Sequence, residues 1–219
     1  MINTISFPSL GWEFTISRTA FEIFGTPVYF YGLLIGTGLL LAVVYGLYET
    51  KRVGIDHDDM FNMLLIALPV SIICARLYYV IFQWDYYKNN LLEILNIRGG
   101  GIAIYGAVIG AAIVVFTYCI IKKLSIAKCL DVLSIGLLIG QAIGRWGNFV
   151  NGEAFGSQTN LPWAMTIVQD GLLIAQKVHP TFLYESLWNV LGIVLLWLYR
   201  KHKKFEGELI CGYMIFYGL

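Results

Sequence analysis

The sequence predicts an all-α polytopic membrane protein made of one domain, 1–219, and composition and hydropathy patterning carry this prediction. Hydrophobic residues form 58% of the 219-residue chain and charged residues only 13%, which is far more apolar than a soluble domain requires. Several runs nearly free of charge can cross about 30 Å of hydrocarbon at about 1.5 Å per residue. The net charge of +1 indicates no nucleic-acid partner. The four cysteines lack metal-ligand spacing, so neither a metal site nor a disulfide is predicted.

The apolar runs define five complete spans and the beginning of a sixth. They follow an N-terminal segment that lacks the basic start, apolar core and cleavage site of a signal peptide. About 20 residues are needed to cross a bilayer, so the natural protein is expected to continue beyond the incomplete last span, and this sequence to be C-terminally truncated. In span three, Gly106 and Gly110 form a small-residue pair suited to close helix packing. The predicted spans are 28–48, 60–82, 102–121, 129–148, 183–199 and 209–219.

Lysine and arginine residues are distributed unequally between the two sides of the predicted bundle. The loops after spans one, three and five carry nine of them, and the opposite side carries four. The positive-inside rule therefore places the N-terminus outside the cytoplasm. Segment 150–182, between spans four and five, then forms a small extracytoplasmic head.

The strongest functional candidate is Arg145, in the block GQAIGRWGNFVNGEAFG that closes span four. A charged side chain at membrane depth is costly, so it faces a protein interior or a wet cavity and marks a functional site. Its forked guanidinium suits phosphate oxygens. Asn148 and Asn151 add neutral donors and acceptors, and Glu153 could act as a base, orient a donor or pair with an arginine. The structural alternative is an Arg145–Glu153 ion pair that caps the helix exit.

The block GRWGNFVNGEAFG resembles the signature of the prolipoprotein diacylglyceryl transferases, integral membrane enzymes that modify bacterial lipoprotein precursors. Four shorter matches occur in consistent order from span one to the C-terminus: FYGLLIG at 30–36, ARLYYVIF at 75–82, GGGIAIYGAVIG at 99–110 and HPTFLYES at 179–186. The resemblance implies transfer of the diacylglyceryl group of phosphatidylglycerol to the lipobox cysteine thiol of a prolipoprotein. The products would be a thioether and glycerol phosphate, and no cofactor would be needed. It further implies a bacterial cytoplasmic (inner) membrane protein whose active site faces the extracytoplasmic side.

The resemblance also implies roles for individual residues. The implied catalytic residues are Tyr31, Tyr105, Arg145, Glu153 and Tyr217, and the implied phosphatidylglycerol-binding residues are Arg76, Arg145, Asn148, Asn151 and Gly156. Two of these have equally good structural interpretations. Tyr31 could be an interfacial tyrosine, and Arg76 could pair with an acidic group.

Two positions depart from the family pattern. Some members have a histidine, proposed as the base, where this chain has Tyr105, and a phenol with an ordinary pKa near 10 is a poor base at neutral pH. Either Tyr105 orients the substrate or proton removal falls to Glu153 or a water. In the family, the segment containing Tyr217 is followed by another functional arginine, so a form ending at residue 219 is expected to have weak activity or none.

A membrane lipid-binding or transport protein with an intramembrane anion site is the alternative function. Such a protein would also use an arginine within the membrane and interrupted helices. A transporter predicts internal repeats between its halves, and the sequence shows none. A structural subunit, in which the arginines only pair with partners, is the third interpretation.

Overall fold

The prediction of a helical membrane protein is confirmed by the computed structural model, which describes residues 2–97 and 100–218. The first glycine of GGGIAIYGAVIG and the last residue of the sixth predicted span lie outside this part. Within this part of the chain, five helices are long and apolar enough to cross a membrane, and their ends fall within five residues of the predicted spans. These helices are α1 (Phe30–Val53), α2 (His57–Phe82), α4 (Ile104–Lys122), α5 (Ile126–Asn151) and α6 (Thr181–Tyr199). A short α3 (Trp84–Tyr87) follows α2, and α7 (Glu208–Gly218) begins at the sixth predicted span.

Two small β-sheets accompany the helices among residues 2–97 and 100–218, and neither was expected from the sequence. The strands are β1 (Ile2–Phe7), β2 (Trp12–Ser17), β3 (Thr19–Ile23), β4 (Thr26–Tyr29), β5 (Met165–Gln169) and β6 (Leu172–Val178). One sheet has the antiparallel order β2-β1-β5-β6, and β3 pairs with β4 in a separate hairpin. The N-terminal segment and the segment between α5 and α6 therefore belong to one sheet, which places them on the same side of the membrane.

The chain divides into two compact units, one formed by Met1–Tyr45 with Leu133–Leu219 and the other by Gly46–Val132. In the first unit, alternate residues of β1 turn inward, so that Ile5 and Phe7 are buried with Ile167 of β5. Asn3 is also fully buried, and its side-chain Nδ2 is satisfied because it donates to the carbonyl oxygen of Val150 at 2.7 Å. This bond ties the sheet to the end of α5, where the polar block lies.

Small residues and apolar side chains bring together the helices of the first unit. A Cβ on Gly38 of α1 would lie 3.4 Å from the Cα of Gly140 on α5, so these two backbones approach closely. On the other side of α5, a cluster of buried residues joins α5, α6 and α7; it comprises Ile135, Leu138, Leu196 and Leu209. Helix α5 is thus packed on both sides within its unit.

The second unit is organised by the contact between α2 and α4. A Cβ on Gly106 would lie 2.4 Å from the carbonyl oxygen of Cys74, and one on Gly110 would lie 2.8 Å from the Cβ of Cys74. The backbone N–H of Ala103 donates to the carbonyl oxygen of Ala75 at 3.1 Å, where α4 begins. The packing role predicted for the glycine pair is confirmed.

Candidate active site at the end of helix α5

Arg145 forms an ion pair with a glutamate that the sequence analysis did not single out. Its Nη2 contacts Oε2 of Glu185, and the two side chains are 29% and 41% exposed. Arg145 lies six residues before the end of α5 and Glu185 four residues after the start of α6, which is about 9 Å and about 6 Å along the axes. The alternative pair of Arg145 with Glu153 is therefore wrong, because Glu185 supplies the carboxylate.

A set of contacts next to this ion pair fixes how α5 and α6 meet. The hydroxyl of Ser186 donates to the carbonyl oxygen of Ala142 at 2.9 Å and accepts from Nε1 of Trp146 at 3.1 Å. The rings of Trp146, Phe149 and Phe182 pack against one another with centroids 4.5 to 5.9 Å apart. Because Ser186 is buried, its hydrogen bonds hold the register of the two helices, and Glu185 is delivered to Arg145.

The turn that ends α5 brings together the three other polar side chains of the block. The Nδ2 atoms of Asn148 and Asn151 lie 3.3 Å and 3.0 Å from Oε1 of Glu153, and both donate to it. Gly152 has a φ of +65°, a left-handed conformation that favours glycine and turns the chain back toward the helix end. Two amides thus hold the exposed carboxylate of Glu153 in one place.

Arg18 is a further residue of this turn that the sequence analysis missed. Its Nη2 donates to the carbonyl oxygen of Asn151 at 2.6 Å. Asn151 is the last residue of α5, where backbone carbonyls have no partner within the helix. The position of Arg18 just before β3 offered no sequence signal, since its contact with Asn151 depends on how the sheet and the helix are arranged.

Tyr31 lies beside the polar block in the first unit. A Cβ on Gly147 would lie 2.6 Å from Cδ2 and 3.0 Å from Cε2 of the Tyr31 ring. The side chain is 38% exposed. The absence of a side chain at Gly147 is therefore what allows the start of α1 to bring this tyrosine against α5.

Gly156 connects the segment between α5 and α6 to the start of α6. Its backbone N–H donates to the carbonyl oxygen of His179 at 3.0 Å, and a Cβ there would lie 2.8 Å from the Cβ of His179. Nδ1 of His179 is 3.2 Å from the hydroxyl of Tyr184. These contacts give Gly156 and His179 a role in holding the chain together where Pro180 precedes α6.

Tyr217 lies on α7, and its ring stacks on that of Tyr213 with centroids 5.8 Å apart. The hydroxyl of Tyr213 in turn accepts from Nε2 of Gln141 at 3.0 Å. Tyr217 is half exposed. Its link to α5 thus runs through Tyr213 and Gln141.

Arg76 and Tyr105 belong to the second unit. The guanidinium of Arg76 donates to the carbonyl oxygens of Ile94 at 2.9 Å and of Gly100 and Gly101 at 2.7 Å each, and also to that of Glu93. Its Cζ lies 5.2 Å from the centre of the Tyr87 ring. The geometry therefore supports the structural interpretation of Arg76, although its partners are backbone carbonyls and not an acid. Tyr105, in contrast, is 69% exposed near the start of α4.

Replacing Arg76 with lysine is expected to lower the free energy of unfolding by about 2 kcal/mol, because a single ammonium cannot serve four separate carbonyl oxygens and part-buried acceptors would lose their donors. Thermal unfolding in detergent measures this loss, and limited proteolysis should show faster cleavage around Leu91–Leu95. Lys88→Ala is the control, since Lys88 is half exposed and pairs with Asp85 on the surface. Equal stability and equal cleavage of Arg76→Lys and the unsubstituted protein would contradict the structural role.

The chemistry available in the first unit is that of an anion site. A partly exposed guanidinium lies on an apolar helix beside a carboxylate that balances its charge. The contact to Glu185 uses one terminal nitrogen, so it occupies only part of the donor set of a guanidinium. No group of three or more His, Cys, Asp or Glu side chains among residues 2–97 and 100–218 could hold a metal ion. A guanidinium with neighbouring carboxylates is an arrangement that suits an anionic ligand and proton transfer.

Known proteins of one family are similar to this chain along nearly its whole length. A family model described as prolipoprotein diacylglyceryl transferase matches residues 18–219. The phosphatidylglycerol–prolipoprotein diacylglyceryl transferases of Clostridioides difficile and Finegoldia magna are 47% and 49% identical to this chain, and each alignment covers 93% of the chain and 80% of the relative. The enzyme of the same name from Bacillus cytotoxicus is 42% identical over 93% of the chain and 78% of the relative. The chain belongs to the prolipoprotein diacylglyceryl transferase family.

Proposed function

We propose that this protein transfers the diacylglyceryl group of phosphatidylglycerol to the thiol of the lipobox cysteine in a bacterial prolipoprotein. The observation that carries the proposal is the partly exposed Arg145, held within an apolar helix by Glu185. A guanidinium in that position suits the phosphate of an anionic lipid. Relatives of 42–49% identity carry both substrates in their names.

The reaction exchanges a carbon–oxygen bond for a carbon–sulfur bond. The nucleophile is the cysteine thiolate and not the thiol. It attacks the carbon of the diacylglyceryl group that is bonded to the phosphate oxygen. The phosphate oxygen leaves with the bonding electron pair as glycerol phosphate, and the thiol proton passes to a base or to water. Arg145 stabilises the charge that develops on the departing phosphate, and a fixed cation in a water-poor site does this effectively.

The remaining residues of the block are proposed to bind the headgroup and to handle the proton. Asn148 and Asn151 orient Glu153, which lies within hydrogen-bond distance of both amides. Glu153 is then a candidate acceptor for the thiol proton. Gly156 is proposed to shape the lipid-binding turn, and Tyr31, Tyr105 and Tyr217 to orient the substrates. For Arg76, the four carbonyl contacts favour holding the segment before α4 over direct contact with lipid.

The proposed location is the cytoplasmic membrane of a bacterium, with the active site toward the extracytoplasmic face. The excess of lysine and arginine in the loops after spans one, three and five supports this orientation. The pairing of β1 with β5 puts the N-terminal segment and the segment after Arg145 on one side, as this orientation requires. The site would then face the side on which the exported part of a precursor emerges.

A transfer assay with labelled phosphatidylglycerol tests the proposed function. The complete protein in nanodiscs is incubated with a lipobox peptide, or with the same peptide carrying serine in place of cysteine. We expect label on the cysteine peptide alone and release of one glycerol phosphate per peptide modified. Binding of phosphatidylglycerol without transfer would overturn the proposal and leave the lipid-binding or transport alternative.

Replacing Gly147 with alanine is expected to lower the transfer rate by about 10- to 100-fold, because a displacement by about 1 Å of a group that orients the substrate has effects of this size. The new Cβ would lie 2.6 Å from the Tyr31 ring and would push it away from the polar block. Gly144→Ala is the matched control on the same helix, since a Cβ there would lie 3.4 Å from the nearest atom, Cδ1 of Ile35. Equal rates for both variants would mean that the position of Tyr31 does not matter for the reaction.

A further inference from the structure

We propose that Glu185 is a positioning residue that sets how tightly Arg145 holds phosphate, and that it thereby promotes release of glycerol phosphate. The inference rests on the proposed function. Its starting point is the ion pair between Arg145 and Glu185, whose side chains are 29% and 41% exposed. An anionic ligand can therefore reach the same guanidinium that the carboxylate occupies.

The ion pair is not what holds α5 against α6. That contact is made by the buried Ser186, which bonds to Ala142 and Trp146, and by the packed rings of Trp146, Phe149 and Phe182. The α5–α6 contact thus has supports other than the carboxylate of Glu185, and the place of this carboxylate on the arginine that the reaction needs points to a role in the reaction.

The charges of substrate and product explain why such a carboxylate is useful. The phosphodiester of phosphatidylglycerol carries one negative charge, whereas a phosphate monoester such as glycerol phosphate carries about 1.5 to 2 negative charges at pH 7. Attraction to a fixed guanidinium grows with this charge and is strong where the effective dielectric constant is low. Arg145 alone would therefore hold the product more tightly than the substrate, and turnover would be limited by product release.

Glu185 narrows this difference through competition and repulsion. Its carboxylate contacts Nη2 of Arg145, so any phosphate must displace it or share the guanidinium with it. Repulsion between like charges acts on both phosphates, and it acts more strongly on the more highly charged product. When glycerol phosphate forms, the Arg145–Glu185 pair can re-form and the product leaves.

The test is the pattern of kinetic constants in Glu185→Gln, which keeps the shape of the side chain and removes its charge. We expect the inhibition constant of added glycerol phosphate to fall at least about tenfold, the size expected of one charge at contact distance near a protein surface. The KM for phosphatidylglycerol should fall as well, and kcat should fall because release becomes slower. Glu13→Gln, at an exposed position of β2, is the control and should change none of these constants.

A second variant of Glu185 and a direct binding measurement complete the test. Glu185→Asp retains the charge with a shorter reach, so its inhibition constant should lie between those of Glu185→Gln and the unsubstituted protein, and it serves if the glutamine variant does not fold. Direct binding of glycerol phosphate to the protein in nanodiscs, followed by calorimetry, does not depend on turnover, so it separates this inference from failure of the transferase function. Unchanged or weaker binding of glycerol phosphate in both variants would overturn it.

Discussion

Replacing Arg145 with alanine is expected to lower the rate of diacylglyceryl transfer by at least about 100-fold, the loss that follows removal of one fixed donor to a developing anion. The physical reason is that charge collects on the phosphate oxygen as the carbon–oxygen bond breaks. The α5–α6 contact fixes the position of Arg145, so that its guanidinium can stabilise this charge. Initial rates of label transfer to the lipobox peptide measure the effect, normalised to the amount of folded protein.

Arg145→Lys separates the need for charge from the need for a forked donor. A lysine keeps the positive charge but presents it as a point on a flexible stem, so it cannot bind two phosphate oxygens side by side. We expect about tenfold more activity than in Arg145→Ala and at least about tenfold less than in the unsubstituted protein. The matched control is Arg52→Lys, because Arg52 is also 29% exposed and also pairs with a glutamate, Glu49. Arg145→Ala with more than a tenth of the original rate would contradict the role proposed for this arginine.

The parts of the site that the sequence predicted are those that one helix end brings together by itself. Asn148, Asn151 and Glu153 lie within six residues, so the turn after α5 is sufficient to join them. Tyr31 required more, since it comes from α1. A resemblance in motif order pointed to it, and the bare Gly147 explains how it reaches the block.

The partner of Arg145 could not be assigned from local sequence because two glutamates were available. Glu153 is near in the chain, and Glu185 lies 40 residues away in HPTFLYES. Depth in the membrane favours Glu185 as the partner. Two antiparallel helices joined at the same membrane face place residues at similar distances from their ends at similar depth. Arg145 and Glu185 meet this condition, whereas Glu153 lies beyond the end of α5.

The strands were missed because their evidence is spread over the chain. β1 pairs with β5, more than 150 residues later, and its inward face includes the polar Asn3 beside Ile5 and Phe7. A polar residue at an inward position weakens the alternation that predicts a strand. The carbonyl oxygen of Val150, which satisfies Asn3, is visible only once the fold has formed.

Replacing Gly106 with alanine is expected to lower the free energy of unfolding by about 1–3 kcal/mol, the range for forcing extra volume into a packed contact. The added Cβ would lie 2.4 Å from the carbonyl oxygen of Cys74 and 2.8 Å from the Cα of Ala75. Both are backbone atoms of α2, so no side chain can turn away to make room, and the two helices must move apart. Separation would also stretch the bond from Ala103 to Ala75 where α4 begins.

The control is Gly36→Ala, on α1, where a Cβ would meet nothing within 4 Å. Alanine is a better helix former than glycine by about 1 kcal/mol, so this variant should be as stable as the unsubstituted protein or more stable. The same gain in propensity acts at Gly106, so a measured loss there understates the cost of the clash. Thermal unfolding of both variants in one detergent gives the comparison. If Gly106→Ala unfolds at the same temperature as Gly36→Ala, α2 and α4 do not pack at backbone contact, and the start of α4 that carries Tyr105 is not fixed by it.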